Sequence, residues 1–225
     1  MRAPDKGWLK RTVGALLVPA LLWPVGAHAQ PEIVLVERRS LADAELGASE
    51  AFTHRLHLTV VNVEGSGWMR ERALQALREA AAILGQCGIA MAGAEWLTLS
   101  APPGFVDFST PAARELARRY PVARPAIYLV RDTRSRPAFD AEAIGRGNSR
   151  SRPEIADTVW ITVATRDAGI VLAHELAHVL MDSGEHSDEP GNLLRDQTAA
   201  GNKALSAAQC ERLRETGSKN GLLQR

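Results

Sequence analysis

The chain lacks the charge imbalance of a nucleic-acid-binding or membrane-surface protein. It has 27 lysines and arginines against 26 aspartates and glutamates, so the formal net charge of its 225 residues is only +1. Phosphate backbones and anionic lipids attract strongly basic patches, and a near-neutral chain offers no such excess. We therefore expect neither a nucleic acid nor a membrane surface as a partner. Internal repeats and a long linker are absent too, which favours a single domain.

Long apolar runs are also scarce. The one at the N-terminus, residues 13–25, contains two prolines and is too short to span a bilayer comfortably. It follows a basic start, Arg2, Lys6, Lys10 and Arg11, and precedes the small-x-small sequence Ala27-His28-Ala29. This pattern is typical of a signal peptide over residues 1–29, with an uncleaved anchor as the alternative. Its removal takes away four basic residues and one acidic residue, which leaves a net charge of −2 on residues 30–225. We expect export to a periplasm or out of the cell, and no stable membrane association after cleavage.

Cysteine is nearly absent. Cys87 and Cys210 are the only two, and neither belongs to a C-x-x-C pair. In an oxidising compartment the default for such a pair is one disulfide, and two buried free thiols are the alternative. The disulfide would close a loop of more than a hundred residues, for which the chain-entropy model gives roughly 4–5 kcal/mol.

Hydrophobic periodicity predicts alternating strands and helices along residues 30–225. Apolar runs predict strands at 32–37, 52–63, 89–92 with an extension to 99, 126–130 and 158–163, and an edge strand near 139–144. Helices are predicted at 67–84 with Ser66 as the cap, from Thr110-Pro111 to 120, at 170–183, and from the Ser206 capping box to 216. The polar stretch 38–51 is expected to be a loop or a short helix. The Arg-rich stretch 132–153 is either a solvated loop or a wall that lines a substrate site.

The most informative stretch is His174-Glu175-Leu176-Ala177-His178, which has the form H-E-x-x-H. Residues four apart lie on one face of a helix, so both imidazoles can bind one metal ion. Glu175 lies about 100° round the helix from His174, where its carboxylate can reach a metal-bound water. Asp167 and Thr165 are candidate N-caps, and Gly184 is a natural stop. The motif is typical of a catalytic zinc site; a buried helix with hydrogen-bonded histidines is the alternative.

A catalytic zinc site usually has three protein ligands, so a third ligand is needed. His186 lies eight residues after His178 and beyond Gly184, where the chain can turn back towards the metal. Asp182 and Glu185 are the main alternatives among the carboxylates of the same turn.

The segment from His174 to Leu194 resembles the zinc-binding segment of metzincin metallopeptidases. In that family a helix supplies two histidines and a glutamate, a turn brings in a third histidine, and a second turn runs beneath the zinc. Here the third histidine is two residues later than in the family pattern, Met181 stands at the glycine position, and Leu194 stands where the family has a methionine. The resemblance implies an α+β fold of the zincin/metzincin type. It would have a mixed twisted sheet, a long packing helix, an active-site helix and a C-terminal helix in one domain over residues 30–225.

The ligands and the resemblance together predict a secreted or periplasmic zinc-dependent endopeptidase. Zn²⁺ bound by His174, His178 and His186 would acidify its water, and Glu175 would take the proton as the water attacks a peptide or protein substrate. Two alternatives use the same residues. One is a zinc-dependent hydrolase of a non-peptide amide, and the other is a catalytically silent binding protein that retains zinc.

Overall fold

Seven strands form one mixed sheet in the part of the chain that the structure describes. The structure is a computed structural model, and it describes residues 32–47, 52–147 and 149–225. The strands are β1 Val34–Leu41, β2 His54–Val63, β3 Ile89–Ser100, β4 Ala126–Val130, β5 Ala141–Ile144, β6 Thr158–Thr162 and β7 Leu223–Gln224. The predicted signal peptide lies outside the described residues. Among those described, no helix has the length and apolar character needed to cross a membrane.

The sheet has a parallel centre and antiparallel edges. Its strand order is β1-β3-β2-β4-β6-β5, with β7 paired to the start of β2. β2 is parallel to β3 and β4, and β4 is parallel to β6. The outer strands β1 and β5 run antiparallel to their neighbours. The edge strand predicted near 139–144 is therefore β5, and it forms the free edge of the sheet.

The central strands are buried on both faces, which explains their nearly continuous apolar sequence. On β4, Ile127 and Leu129 pack into one core while Ala126, Tyr128 and Val130 pack into the other. This is the two-residue alternation of a strand.

Five helices cover the sheet in the described part of the chain. They are α1 Asp43–Leu46, α2 Arg70–Gly85, α3 Thr110–Arg119, α4 Ala168–Met181 and α5 Ala207–Lys219. Apolar residues of α2, α4 and α5 share the core on one face of the sheet, and those of α3 share the core on the other face. The helix α4 lies between α2 and α5 and also contacts β5.

Several predicted boundaries are wrong for local reasons. Ser66 does not cap α2, because its hydroxyl donates to Asn62 Oδ1 (2.9 Å) and accepts from the Trp68 amide (3.3 Å) in the turn before the helix; Met69 occupies the N-cap position. Ser109 rather than Thr110 caps α3, with its hydroxyl accepting from the Ala112 amide (3.4 Å).

Other expectations about the elements hold. The capping box at Ser206 is present. The extension of β3 beyond residue 92 also occurs, and it continues to Ser100. The stretch 38–51, predicted to be a loop or a short helix, contains both the end of β1, which continues to Leu41, and the short helix α1.

The predicted disulfide is present. Cys87, just after α2, is bonded to Cys210 on α5, with their Cα atoms 4.8 Å apart. Gly217 brings α5 close to its neighbours, because a Cβ there would lie 2.8 Å from Leu223 Cδ1 and 3.3 Å from Leu180 Cδ2 of α4. The disulfide ties α5 to the end of α2, and the close packing at Gly217 holds α5 against α4.

Candidate metal centre

The helix α4 is almost entirely enclosed. From Gly169 to Met181 every residue except Glu175 is buried. Asp167 occupies the predicted N-cap position, although its side chain makes no capping bond. The helix ends at Asp182, which takes a left-handed conformation (φ 47°), two residues before the glycine expected to stop it. A helix packed on so many sides holds its side chains in fixed positions.

His174 and His178 face each other from consecutive turns of α4. Their Nε2 atoms are 2.9 Å apart. His174 Nδ1 donates to the carbonyl oxygen of Leu193 and His178 Nδ1 to that of Ser183, both at 2.7 Å. Since a carbonyl oxygen can only accept, these contacts place the imidazole hydrogens on Nδ1.

The two Nε2 atoms therefore carry lone pairs that point at each other, which is unfavourable unless a cation lies between them. Burial, followed by the neighbouring His174, lowers the pKa of His178 to about 4. Burial likewise lowers the pKa of His174. Both rings are therefore neutral near pH 7, the form in which histidine binds metals. Imidazoles with Nδ1 bonded to backbone carbonyls are the usual donors of zinc sites, so the residues fit the ion that the sequence predicts.

His186 completes the cluster. The three histidines can present one ligand atom each within 4.8 Å of one another. The ring of His186 lies 5.4 Å from that of His174 and 5.0 Å from that of His178, between centroids. Its Nδ1 is 3.7 Å from the exposed carboxylate of Asp196.

The two alternative third ligands are engaged elsewhere. The carboxylate of Asp182 accepts a hydrogen bond from the Gly147 amide at 2.9 Å. The carboxylate of Glu185 forms an ion pair with Arg212 at 2.5 Å. Neither residue is part of the metal-binding group found among the described residues.

A turn beneath the histidines supports the cluster. Asn192 is buried; its Oδ1 accepts from the Leu194 amide (2.9 Å), and its Nδ2 donates to Gln209 at the start of α5 (3.0 Å). This arrangement fixes the Leu193 carbonyl that accepts from His174. Leu194, the residue at the family's methionine position, is buried in the same core as α4.

Glu175 lies beside the histidines, where α4 passes β5. The amide of Ala143 on β5 donates a hydrogen bond to its carboxylate. Burial is the main cause that raises the pKa of Glu175 to about 7, and the nearby Glu142 adds to the effect. A carboxyl group with a pKa near neutrality can both accept and return a proton.

These residues border a cleft of about 520 Å³. Its other walls come from β5, the loop after it, the end of α4 and the following turn; they include Ala141, Glu142, Gly145, Gly147, Ser183, Gly184 and Asp196. Part of the stretch 132–153 therefore lines the cleft beside the histidines; that this wall binds a substrate stays a prediction.

The sequence could not reveal the backbone groups that orient the site. The carbonyls of Ser183 and Leu193 and the amide of Ala143 are contributed by positions whose side chains carry no signal. Asp182, an alternative metal ligand from the sequence alone, joins the end of α4 to the loop after β5.

Comparison with known proteins gives a structural relative but no sequence family. No protein-family model matches the sequence, and no curated protein matches it either. Among solved structures, metalloproteinase-II from Bacteroides fragilis has a similar fold, with a TM-score of 0.52 and 16% sequence identity. The similarity covers 77% of this chain and 60% of that one, so the chain spans less than two thirds of its length. The likeness shows a metalloproteinase-like arrangement of mixed sheet and helices.

Proposed function

We propose that the chain is an exported, zinc-dependent metallopeptidase of the metzincin-like type. The observation that carries the proposal is the pair of neutral imidazoles whose Nε2 lone pairs face each other at 2.9 Å, with His186 and the carboxylate of Glu175 at their side. The metalloproteinase with a similar fold supports the same class of activity.

His174, His178 and His186 would hold the zinc ion. When bound, zinc supplies a Lewis acid that acidifies water and stabilises negative charge on a carbonyl oxygen. Glu175 accepts the proton of the attacking water and returns it to the leaving amine. Ala143 keeps the carboxylate on the cleft side of α4 through its amide.

The geometry of the cleft favours a peptide as substrate. β5 is a terminal strand of the sheet, and three of its residues, Ala141, Glu142 and Ala143, line the cleft. The free edge of a strand can pair with an extended peptide through backbone hydrogen bonds. Such pairing would place a peptide bond alongside Glu175 and the three histidines.

Export is the second part of the proposal. Residues 1–29 form its signal peptide and residues 30–225 the enzyme domain. The disulfide between Cys87 and Cys210 supports this assignment, because disulfides persist in oxidising compartments.

The test is cleavage of a mixed peptide library, read by mass spectrometry, with the purified protein after zinc loading and after chelation. We expect cleavage only with zinc and about one zinc ion per chain. If a zinc-loaded protein cleaves no peptide but hydrolyses small amides, the non-peptide alternative replaces the proposal. A zinc-loaded protein that hydrolyses neither would be the silent binding protein.

A further inference from the structure

The charged lining of the cleft is acidic. Four acidic residues line it, Glu142, Glu175, Asp182 and Asp196, and no lysine or arginine is among the lining residues that the structure describes. Elsewhere in the described chain many carboxylates are paired with arginine or lysine, as Asp107 is with Arg131 and Asp157 with Arg146. Apart from the proposed zinc ion, the charged side chains that line the cleft are therefore all of negative sign.

Three of the four carboxylates have other roles. Glu175 accepts from the Ala143 amide and is the proposed base. Asp182 accepts from the Gly147 amide. The side chain of Asp196 is 86% exposed and lies beside His186. Solvent screens a charge this exposed, so Asp196 offers little selectivity.

Glu142 is the exception. Its side chain is half-buried, and among the described residues its carboxylate has no hydrogen bond and no ion pair. Arg152 acts on it only as a more distant charge, while burial raises its pKa. A partly desolvated carboxylate without a partner is costly, and a cation brought into the cleft would offset that cost.

The position of Glu142 ties this carboxylate to the proposed chemistry. It precedes Ala143, whose amide holds Glu175, and its charge is close enough to contribute to the raised pKa of Glu175. Glu142 and Glu175 line the same cleft, so a side chain of the substrate that reaches Glu142 would belong to a residue near the bond being cleaved.

We propose that Glu142 is a specificity-determining residue that recognises a lysine or arginine side chain of the substrate close to the scissile bond. The inference rests on the proposed peptidase function and adds the substrate class. An ammonium or guanidinium group pairs with a carboxylate through charge-assisted hydrogen bonds, and an uncharged side chain of equal length does not.

Binding is tested first, in a Glu175→Gln background, so that hydrolysis is not required. The probes are alanine-rich octapeptides with one lysine placed at each position in turn, and a matched series with norleucine. We expect zinc-loaded protein to bind the lysine peptide about tenfold more tightly at one or two positions, the size of a charge-assisted hydrogen bond. Adding Glu142→Gln should remove the preference, and Glu142→Lys should shift it towards a glutamate-bearing peptide.

The control is Glu211→Gln, which makes the same charge change on the exposed surface of α5, outside the cleft, and should leave the preference intact. Equal binding of the two series, no binding of either, or a preference that survives Glu142→Gln would overturn the proposal. An equal loss of affinity for the lysine and norleucine peptides in Glu142→Gln would also overturn it, because such a loss would show that Glu142 positions Glu175 through Ala143.

A second arm compares kcat/KM for the same peptides in the chain with Glu175 intact. A larger fall in kcat/KM for the lysine peptides than for the norleucine peptides with Glu142→Gln would support recognition during turnover, and an equal fall for both series would contradict it. A lysine preference in binding without any cleavage would refute the peptidase function and leave the recognition site standing.

Discussion

The three candidate zinc ligands come from two regions built in opposite ways. His174 and His178 lie on α4, where all residues from Gly169 to Met181 but one are buried. His186 lies on the turn after the helix, in an exposed stretch whose shape depends on hydrogen bonds from Ser187, Asn192 and Gln209. The helix fixes two ligands through tertiary packing, whereas the turn fixes the third through a few polar contacts.

This difference bears on the spacing to the third histidine, which is two residues longer than in the metzincin segment that the sequence resembles. A change of length within a helix would rotate every later side chain off the metal-binding face. A turn can absorb two additional residues if its backbone hydrogen bonds are kept. The proposed zinc site therefore tolerates a change of chain length in the turn but none within the helix.

The largest expected effect is on zinc affinity. His178→Ala should weaken zinc binding on the order of a thousandfold, because the position is buried and the metal-binding group found in the described part of the chain holds only two other residues. His186→Ala should weaken it by about tenfold to a hundredfold, since water or Asp196 can enter the open position. Competition with a fluorescent chelator measures both, and equal losses would contradict the contrast between helix and turn.

The disulfide joins the end of α2 to α5, the two helices that pack against α4. Replacing Cys87 and Cys210 by serine should lower the free energy of unfolding by about 2–5 kcal/mol, measured by urea denaturation. Zinc affinity should change little in the folded protein, because the candidate ligands lie on α4 and the turn after it, and neither of these carries a cysteine. Loss of zinc binding without loss of stability would show that α5 positions the site directly.

A smaller loss of zinc affinity is expected from a substitution in the turn that supports the histidines. Asn192→Ala removes the bonds to Leu194 and Gln209, so the Leu193 carbonyl should hold His174 less firmly. We expect about a tenfold to hundredfold loss in zinc affinity, as for other groups that orient metal ligands. Asn202→Ala is the matched control, because among the described residues the side chain of Asn202 donates to the Gln197 carbonyl and not to the turn, so zinc affinity should be unchanged.

The smallest effect concerns the position at which the family has a methionine. Leu194→Met conserves volume in a buried site and should cost less than about 1.5 kcal/mol, with zinc affinity unchanged. Thermal unfolding with and without zinc measures both quantities. A marked gain in zinc affinity would mean that the sulfur, rather than an apolar floor, matters at this position.

The parts of the fold that follow from local periodicity could be predicted from the sequence. β4 and α4 have apolar residues at their own period, and Ser206 and Gln209 form a capping box recognisable by spacing alone. The predicted cap at Ser66 is wrong because a serine before a helix can also hydrogen-bond within the preceding turn. β7 has two residues, too few for a pattern, and it forms because the end of the chain meets β2.

The candidate site also has residues that the local sequence predicts and groups that depend on tertiary contacts. The motif predicts His174, Glu175 and His178 because a helix converts spacing into proximity. His186 is favoured over Asp182 and Glu185 as the candidate third ligand because Gly147 and Arg212, which are distant in sequence, engage the two carboxylates. The groups that hold the ligands are backbone atoms, which no side-chain pattern specifies.

The most direct test of the account is the turnover number of Glu175→Gln at a zinc content equal to that of the unsubstituted protein. Glutamine keeps the hydrogen bond from Ala143 but cannot accept a proton. We predict peptide cleavage slowed by about a hundredfold to ten-thousandfold, with KM little changed. An unchanged turnover number would contradict the assignment of Glu175 as the base, and with it the proposal that this cleft is a peptidase active site.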